Sequence, residues 1–153
     1  MIRVRFAPSP TGSLHLGNAL TAVANRSFGD WLLLRIDDTD PTRTVKSGEE
    51  EIERDLEWLD VGWDEGPVRQ SERAEVHRAA AARLADLHED DGALRWRGTT
   101  FVRADGTATY QLASVVDDIE FGITHVVLRQ AELVQIRPYG FGGVALVTQV
   151  GDR

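Results

Sequence analysis

The chain has 153 residues, 42% hydrophobic and 27% charged, the profile of one soluble globular domain large enough to bury a core. Its net charge of −8 argues against broad nonspecific nucleic-acid binding, and the absence of cysteine excludes disulfides, Cys-ligated zinc and thiol catalysis. With no leader before the first strand pattern and no apolar run of about 18 residues, the expected location is cytoplasmic.

Residues 2–6 (Ile2, Val4, Phe6 apolar) predict a buried strand that runs into a Pro8–Gly12 loop. Apolar residues at Leu16, Leu20, Val23 and Ala24 recur at helical spacing and predict a helix from Leu14 to about Phe28, ended by Gly29-Asp30. Trp31–Ile36 is an apolar run of strand length, as in a parallel strand covered on both faces. Strand, loop, helix and strand make a βαβ unit, so the expected fold is α/β: a Rossmann-like parallel sheet flanked by helices, with right-handed crossovers. An acidic loop, Asp37–Pro41, follows. Ser47 can then cap a helix to Leu59 whose first turn carries Glu49, Glu50 and Glu51.

A loop with Trp63, Gly66 and Pro67 leads to an alanine-rich helix over Ser71–His88, on which His77 and His88 read as solvated. Residues 99–104 predict a strand, Asp105-Gly106 a turn, 109–119 a short helix or irregular segment, and Ile123–Leu128 a core strand. From Arg129 the pattern loosens, through Gly140, Gly142 and Gly143, to the apolar run Val144–Val147. The division is a nucleotide- and amino-acid-binding core over 1–128, within which 82–108 is a short connection, and an unmatched tail over 129–153.

The loop before the first helix gathers backbone N–H groups, the His15 imidazole and the Gly17 gap at the positive end of a helix dipole, which suits a phosphate-bearing nucleotide. The acidic loop lies where open α/β sheets bind ligands, outside the carboxyl ends of the strands. A carboxylate there can hold an ammonium group, while Arg5 on the neighbouring strand can hold a carboxylate by its fork. The same aspartates also suit plain capping of the next helix, and Asp38 and Asp40 fit that role. Tyr110 can lend a hydroxyl to a ligand or pack half-buried. Asp117 or Asp118 can reach a ribose hydroxyl, but two adjacent carboxylates are a weak metal signal, and no residue is assigned to a metal. Arg95-Trp96-Arg97 reads as a surface loop around a packed Trp, or as a base-stacking element. No Ser/His/Asp triad, Walker loop or HExxH string is present.

Four ordered blocks carry a specific likeness. They are Arg5-Phe-Ala-Pro-Ser-Pro-Thr-Gly-Ser-Leu-His-Leu-Gly17, Leu34-Arg-Ile-Asp-Asp-Thr-Asp40, Asp64-Glu-Gly-Pro67 with Arg69-Gln-Ser-Glu-Arg73, and Thr109–Asp118 with Gly122–Val127. Over roughly residues 2–127 the chain resembles the glutamyl-tRNA synthetases, class I enzymes with a Rossmann-type catalytic domain, and His15–Asn18 stands where that class has its HIGH motif. The resemblance implies ATP-dependent activation of glutamate and transfer to tRNA, with ATP and Mg2+ as cosubstrate and ion. By similarity Pro8, His15, Gly17 and Asn18 serve ATP, with His15 the catalytic candidate. Arg5 pairs with the glutamate side-chain carboxylate, Ala7 and Ser9 line the pocket, Asp37 holds the α-ammonium group, and Tyr110, Ser114 and Arg129 complete the site.

The sequence also departs from the family pattern. Asp37 replaces the usual Glu, and Ser114 a frequent Asn. The family's acceptor-arm insertion is reduced to the 82–108 connection. No lysine-rich KMSKS-type loop occurs, Lys46 being the only lysine. The implied partners are glutamate, ATP and the tRNA acceptor end, the last weak or lost without the insertion and an anticodon domain. Other readings are an ATP- or glutamate-binding module without turnover, an inactive truncated product, and the short paralogue that glutamylates a modified tRNA base. That paralogue usually carries a cysteine zinc site.

Overall fold

The computed structural model describes residues 1–84 and 87–127 with their side chains, and the backbone of 133–139 and 144–149. Strands β1 (Arg3–Phe6), β2 (Trp31–Ile36) and β3 (Glu65–Arg69) form a parallel sheet in the order β1-β2-β3, with Arg5 opposite Leu33. Helix α1 (Leu16–Phe28) joins β1 to β2, and α2 (Gly48–Trp58) joins β2 to β3, so the expected parallel α/β arrangement is present. Leu14 lies outside α1 because His15 is the extended N-cap residue, φ −76° and ψ 162°.

Strand alternation distributes the side chains between two layers. Val4, Phe6, Leu32, Leu34 and Ile36 point to one face, where they pack with Ala22 of α1 and with Ile52 and Leu56 of α2. Trp31, Leu33 and Val68 point to the other, against Phe121, Ile123 and Val126. Arg5 and Arg35 share that second face, which α4 (Tyr110–Glu120) covers. The 31–36 run is therefore buried on both sides, as its composition predicts, with one arginine inside it.

The loop expected around Gly66-Pro67 is instead the edge strand β3. A strand edge tolerates a residue without an N–H, and the β2–β3 register slips between Leu33 and Arg35, where Pro67 sits.

The helix expected over Ser71–His88 is also corrected. A 3₁₀ turn (Gln70–Arg73) precedes a short α3 (Ala74–Ala81), and His88 lies in β4 (Leu87–Asp90). Two turns override the alanine-rich pattern. Asp91-Gly92 and Arg97-Gly98 have positive φ at both residues (49° and 76°, 48° and 82°), as type I′ hairpin turns require. They fold β4, β5 (Ala93–Trp96) and β6 (Thr99–Val102) into an antiparallel meander, so 82–108 is more than a connection. Trp96 stacks on Phe101 within it. Ala81, Val102, Ala108, Leu112 and Ala113 form the core between this meander, α3 and α4.

Thr124 donates its N–H to the Arg3 carbonyl (2.9 Å) on the side of β1 away from β2, and β7 (His125–Val127) starts there. The backbone of β8 (Leu133–Tyr139) and β9 (Val144–Gln149) continues β7 as an antiparallel sheet. Among the described residues no helix is long and apolar enough to cross a membrane.

Candidate active site

The carboxyl ends of β1 and β2 are joined directly, since Asp37 N–H donates to the Pro8 carbonyl at 2.9 Å. The Pro8–Gly12 loop is fastened to α2 as well. Val45 N–H and Gly48 sit against the Pro10 carbonyl, and a Cβ at Gly48 would lie 2.4 Å from that oxygen. Ser13 and Ser47 both donate to Glu51, and Leu14 N–H donates to Asp55 at 2.7 Å. The segment leading into α1 is thus held by side chains of α2, a tie the sequence pattern did not show.

At the start of α1 the His15 carbonyl accepts from Asn18 and Ala19, while its Nδ1 accepts from Asn18 N–H at 3.3 Å. With Nδ1 accepting, Nε2 is the ring nitrogen left to donate outward. His15 is exposed, and a Cβ on Gly17 would meet its ring at 3.2 Å, so glycine gives the imidazole room. No acidic residue lies in the first turn of α1, whereas α2 begins with three glutamates. The positive end of the α1 dipole is therefore left unneutralised by its own first turn.

Below this lies a buried charge network. Arg35 is fully buried and donates from Nε and Nη2 to the two Asp37 oxygens, at 2.7 and 3.2 Å. Its Nη1 donates to Asp118 Oδ1 at 2.9 Å and approaches the Ser114 carbonyl at 3.4 Å. Arg5 Nε donates to the same Asp118 oxygen at 3.2 Å. Burial is the largest influence on Arg35 and opposes its charge, but Asp37, Asp118 and Asp117 outweigh it and raise its pKa. Burial pushes the Asp37 carboxyl up, against the pull of Arg35 and Arg5.

A second cluster backs the first. Asp117, fully buried, accepts from Gln70 Nε2 (2.8 Å), Arg73 Nε (2.8 Å) and His77 Nε2 (2.7 Å). Arg73 also pairs with Glu120. His77, expected in solvent, is only 1% exposed, because Arg73, His77 and Ala81 fall on the helical face that meets α4. Asp117 is occupied by these three donors, and Asp118 Oδ1 by Arg5 and Arg35. Neither Asp38 nor Asp40 caps the next helix: Asp38 accepts from Ser71 N–H and Oγ in the 3₁₀ turn beyond it, and Asp40 from Thr42 in its own loop, where the turn at 40–43 brings them together.

Of the residues singled out in the sequence, Arg5, Asp37 and Ser114 meet through Arg35 and Asp118. Ala7, Pro8 and Ser9 follow β1 into the same loop region. Tyr110 stands 56% exposed at the start of α4. Arg129 lies outside the described residues. Arg35 was missed because it reads as one interruption of an apolar strand; the signal available was a charged residue inside a run buried on both faces.

Residues 1–87 match the family model described as tRNA synthetases class I (E and Q), catalytic domain. The chain belongs to that family. Glutamate–tRNA ligase 1 of Rubrobacter xylanophilus is 41% identical to this synthetase-family chain over 166 aligned positions, covering 86% of this chain and 38% of that protein. Glutamate–tRNA ligase 2 of Acidiphilium cryptum is 36% identical over 201 positions, covering 83% and 45%. The alignments are longer than the 153-residue chain, so both relatives carry residues without a counterpart here. The crystal structure of glutamate–tRNA synthetase from Elizabethkingia anophelis shares the fold, with a TM-score of 0.69 at 24% identity over 82% of this chain and 43% of that one. The synthetase-family chain spans less than half the length of these relatives.

Proposed function

We propose that this chain is the glutamate- and ATP-binding part of a glutamate–tRNA ligase. An oxygen of the glutamate α-carboxylate would attack the α-phosphorus of ATP, the bond to the β-phosphate oxygen would break, and pyrophosphate would leave. The acyl group of the resulting glutamyl-adenylate would then pass to the tRNA 3′ end. This chemistry asks for placement and charge stabilisation more than for a protein nucleophile.

The observation that carries the reading is the linking of Arg5 and Asp37, on adjacent parallel strands, through Asp118 and the buried Arg35 guanidinium. Arg5 would take the distal carboxylate of glutamate and Asp37 its ammonium, with Ala7, Ser9, Tyr110 and Ser114 around them. His15 Nε2–H and the N-terminus of α1 would face the phosphates, beside Pro8, Gly17 and Asn18. Among the described residues no group of three or more His, Cys, Asp or Glu side chains is placed to hold a metal. Mg2+ would arrive on the ATP phosphates, where it neutralises charge. Engagement of the tRNA acceptor end would be weak, the family insertion being replaced by the β4–β6 meander.

A second reading is binding of ATP or glutamate without turnover. Glutamate-dependent exchange of pyrophosphate into ATP separates the two. Exchange lost in both Arg5→Ala and His15→Ala supports the ligase. ATP binding by calorimetry without exchange supports the second reading, and absence of both refutes the two together.

A further inference from the structure

We propose that Arg35 is a positioning residue that sets the distance between the two ends of the amino-acid pocket, and thereby selects glutamate over aspartate. The inference rests on the assignment of Arg5 and Asp37 made under the proposed function.

Arg35 is out of place by composition. Its strand neighbours Leu32, Leu33, Leu34 and Ile36 are each 1% exposed or less, and Arg35 itself is fully buried. Taking a guanidinium out of water is costly, and buried ion pairs are often replaceable by apolar residues without loss of stability. Stability alone therefore gives a weak reason for an arginine here. Geometry gives a stronger one, since the guanidinium has donors in a rigid fork and spends them in two directions. One edge holds Asp37 by two bonds (2.7 and 3.2 Å), and the remaining nitrogen holds Asp118 (2.9 Å). Asp118 Oδ1 in turn holds Arg5 Nε (3.2 Å). Asp37, Arg35, Asp118 and Arg5 form one continuous chain of charge-assisted bonds, with two positive and two negative groups.

Each end of that chain keeps capacity for a ligand. Among the described residues the two terminal nitrogens of Arg5 make no hydrogen bond, so a carboxylate can meet them side by side. Each Asp37 oxygen accepts one N–H from Arg35 and retains a lone pair for an ammonium. Because Arg35 ties one end directly and the other through Asp118, their separation cannot relax to suit a shorter ligand. Aspartate, one methylene shorter than glutamate, could satisfy one end and would leave the other unpaired. A lysine at 35 would keep the positive charge but reach only one carboxylate at a time, so the two ends would move independently.

The test titrates the 153-residue chain with L-glutamate and with L-aspartate by calorimetry, in wild type, Arg35→Lys and Asp118→Asn, with circular dichroism verifying that each is folded. Both variants are expected to weaken glutamate binding by about tenfold and to shrink the glutamate-to-aspartate affinity ratio several-fold, the range set by one methylene in a fitted pocket. Loss of folded protein lowers both apparent capacities together and leaves that ratio unchanged. A folded variant with an unaltered ratio overturns the proposal and leaves the proposed function standing. A wild-type chain that binds neither amino acid overturns both. Should neither variant fold, NMR of the wild type decides: Arg35 Nε–H is expected to exchange far more slowly than an exposed arginine, with or without glutamate, and exchange at the exposed rate overturns the proposal.

Discussion

Asp117 is the side chain whose removal has the most calculable effect. Its two buried oxygens accept from Gln70, Arg73 and His77 at 2.7–2.8 Å, joining α4 to the 3₁₀ turn and α3. Asp117→Ala leaves three donors facing a void, one on a charged guanidinium, and breaking a buried charged pair in this way costs about 3–5 kcal/mol. Asp117→Asn is milder for a reason specific to this site. Gln70 Oε1 is buried without a hydrogen-bond partner, so Gln70 can turn its amide and accept from the new Asn amide. Only the charge assistance to Arg73 and His77 is then lost, about 1–3 kcal/mol.

In a domain of this size the alanine variant should melt about 6–20 °C below wild type, at roughly 2–4 °C per kcal/mol. Acid supplies a second check. Burial, the largest influence, pushes the Asp117 carboxyl up, but the bonds from His77, Arg73 and Gln70 outweigh it and hold it below the ordinary range. A carboxyl lowered in the folded state contributes stability that is present above the unfolded value, about 3.9, and lost as pH falls through the folded value. The wild-type advantage over Asp117→Asn, measured just above pH 5, should therefore close as pH falls below about 4. Thermal melts across that range are the assay. An alanine variant losing under about 1 kcal/mol, or an advantage that persists in acid, would refute the reasoning.

Further changes test the frame around the site. Gly48→Ala should push Pro10 and the loop before α1, since its Cβ would sit 2.4 Å from backbone oxygen; ATP affinity measured by calorimetry should fall more than thermal stability does. Asp55→Ala strips the acceptor from Leu14 N–H and should cost about 1–3 kcal/mol in urea unfolding, with a slope unchanged from wild type. Ile52→Ala opens a void beneath the first sheet and should cost about 2–5 kcal/mol in the same assay.

The parallel unit from β1 to β2 was legible because its signals are local. Alternating apolar residues led into a proline-rich loop, a helical repeat ended at Gly29, and an apolar run marked a strand covered twice. The type I′ turns at Asp91-Gly92 and Arg97-Gly98 were equally local, yet the alanine-rich stretch before them argued for a longer helix. Local pattern marked Arg35 only as a charge inside an apolar run, and left out its bond to Asp118, 83 residues away, and the bond of His77 to Asp117, 40 residues away.

The sequence by itself determined the order of elements from β1 to α2, the His15–Gly17 start of the first helix and the family, since each is written in contiguous residues. The tertiary structure alone decided which charges meet. A buried arginine is held only by carboxylates that the sheet and α4 bring to one face, and that convergence is a property of packing between distant segments. What in the sequence is a lone arginine in an apolar strand becomes, once folded, the link between Asp37 and Arg5.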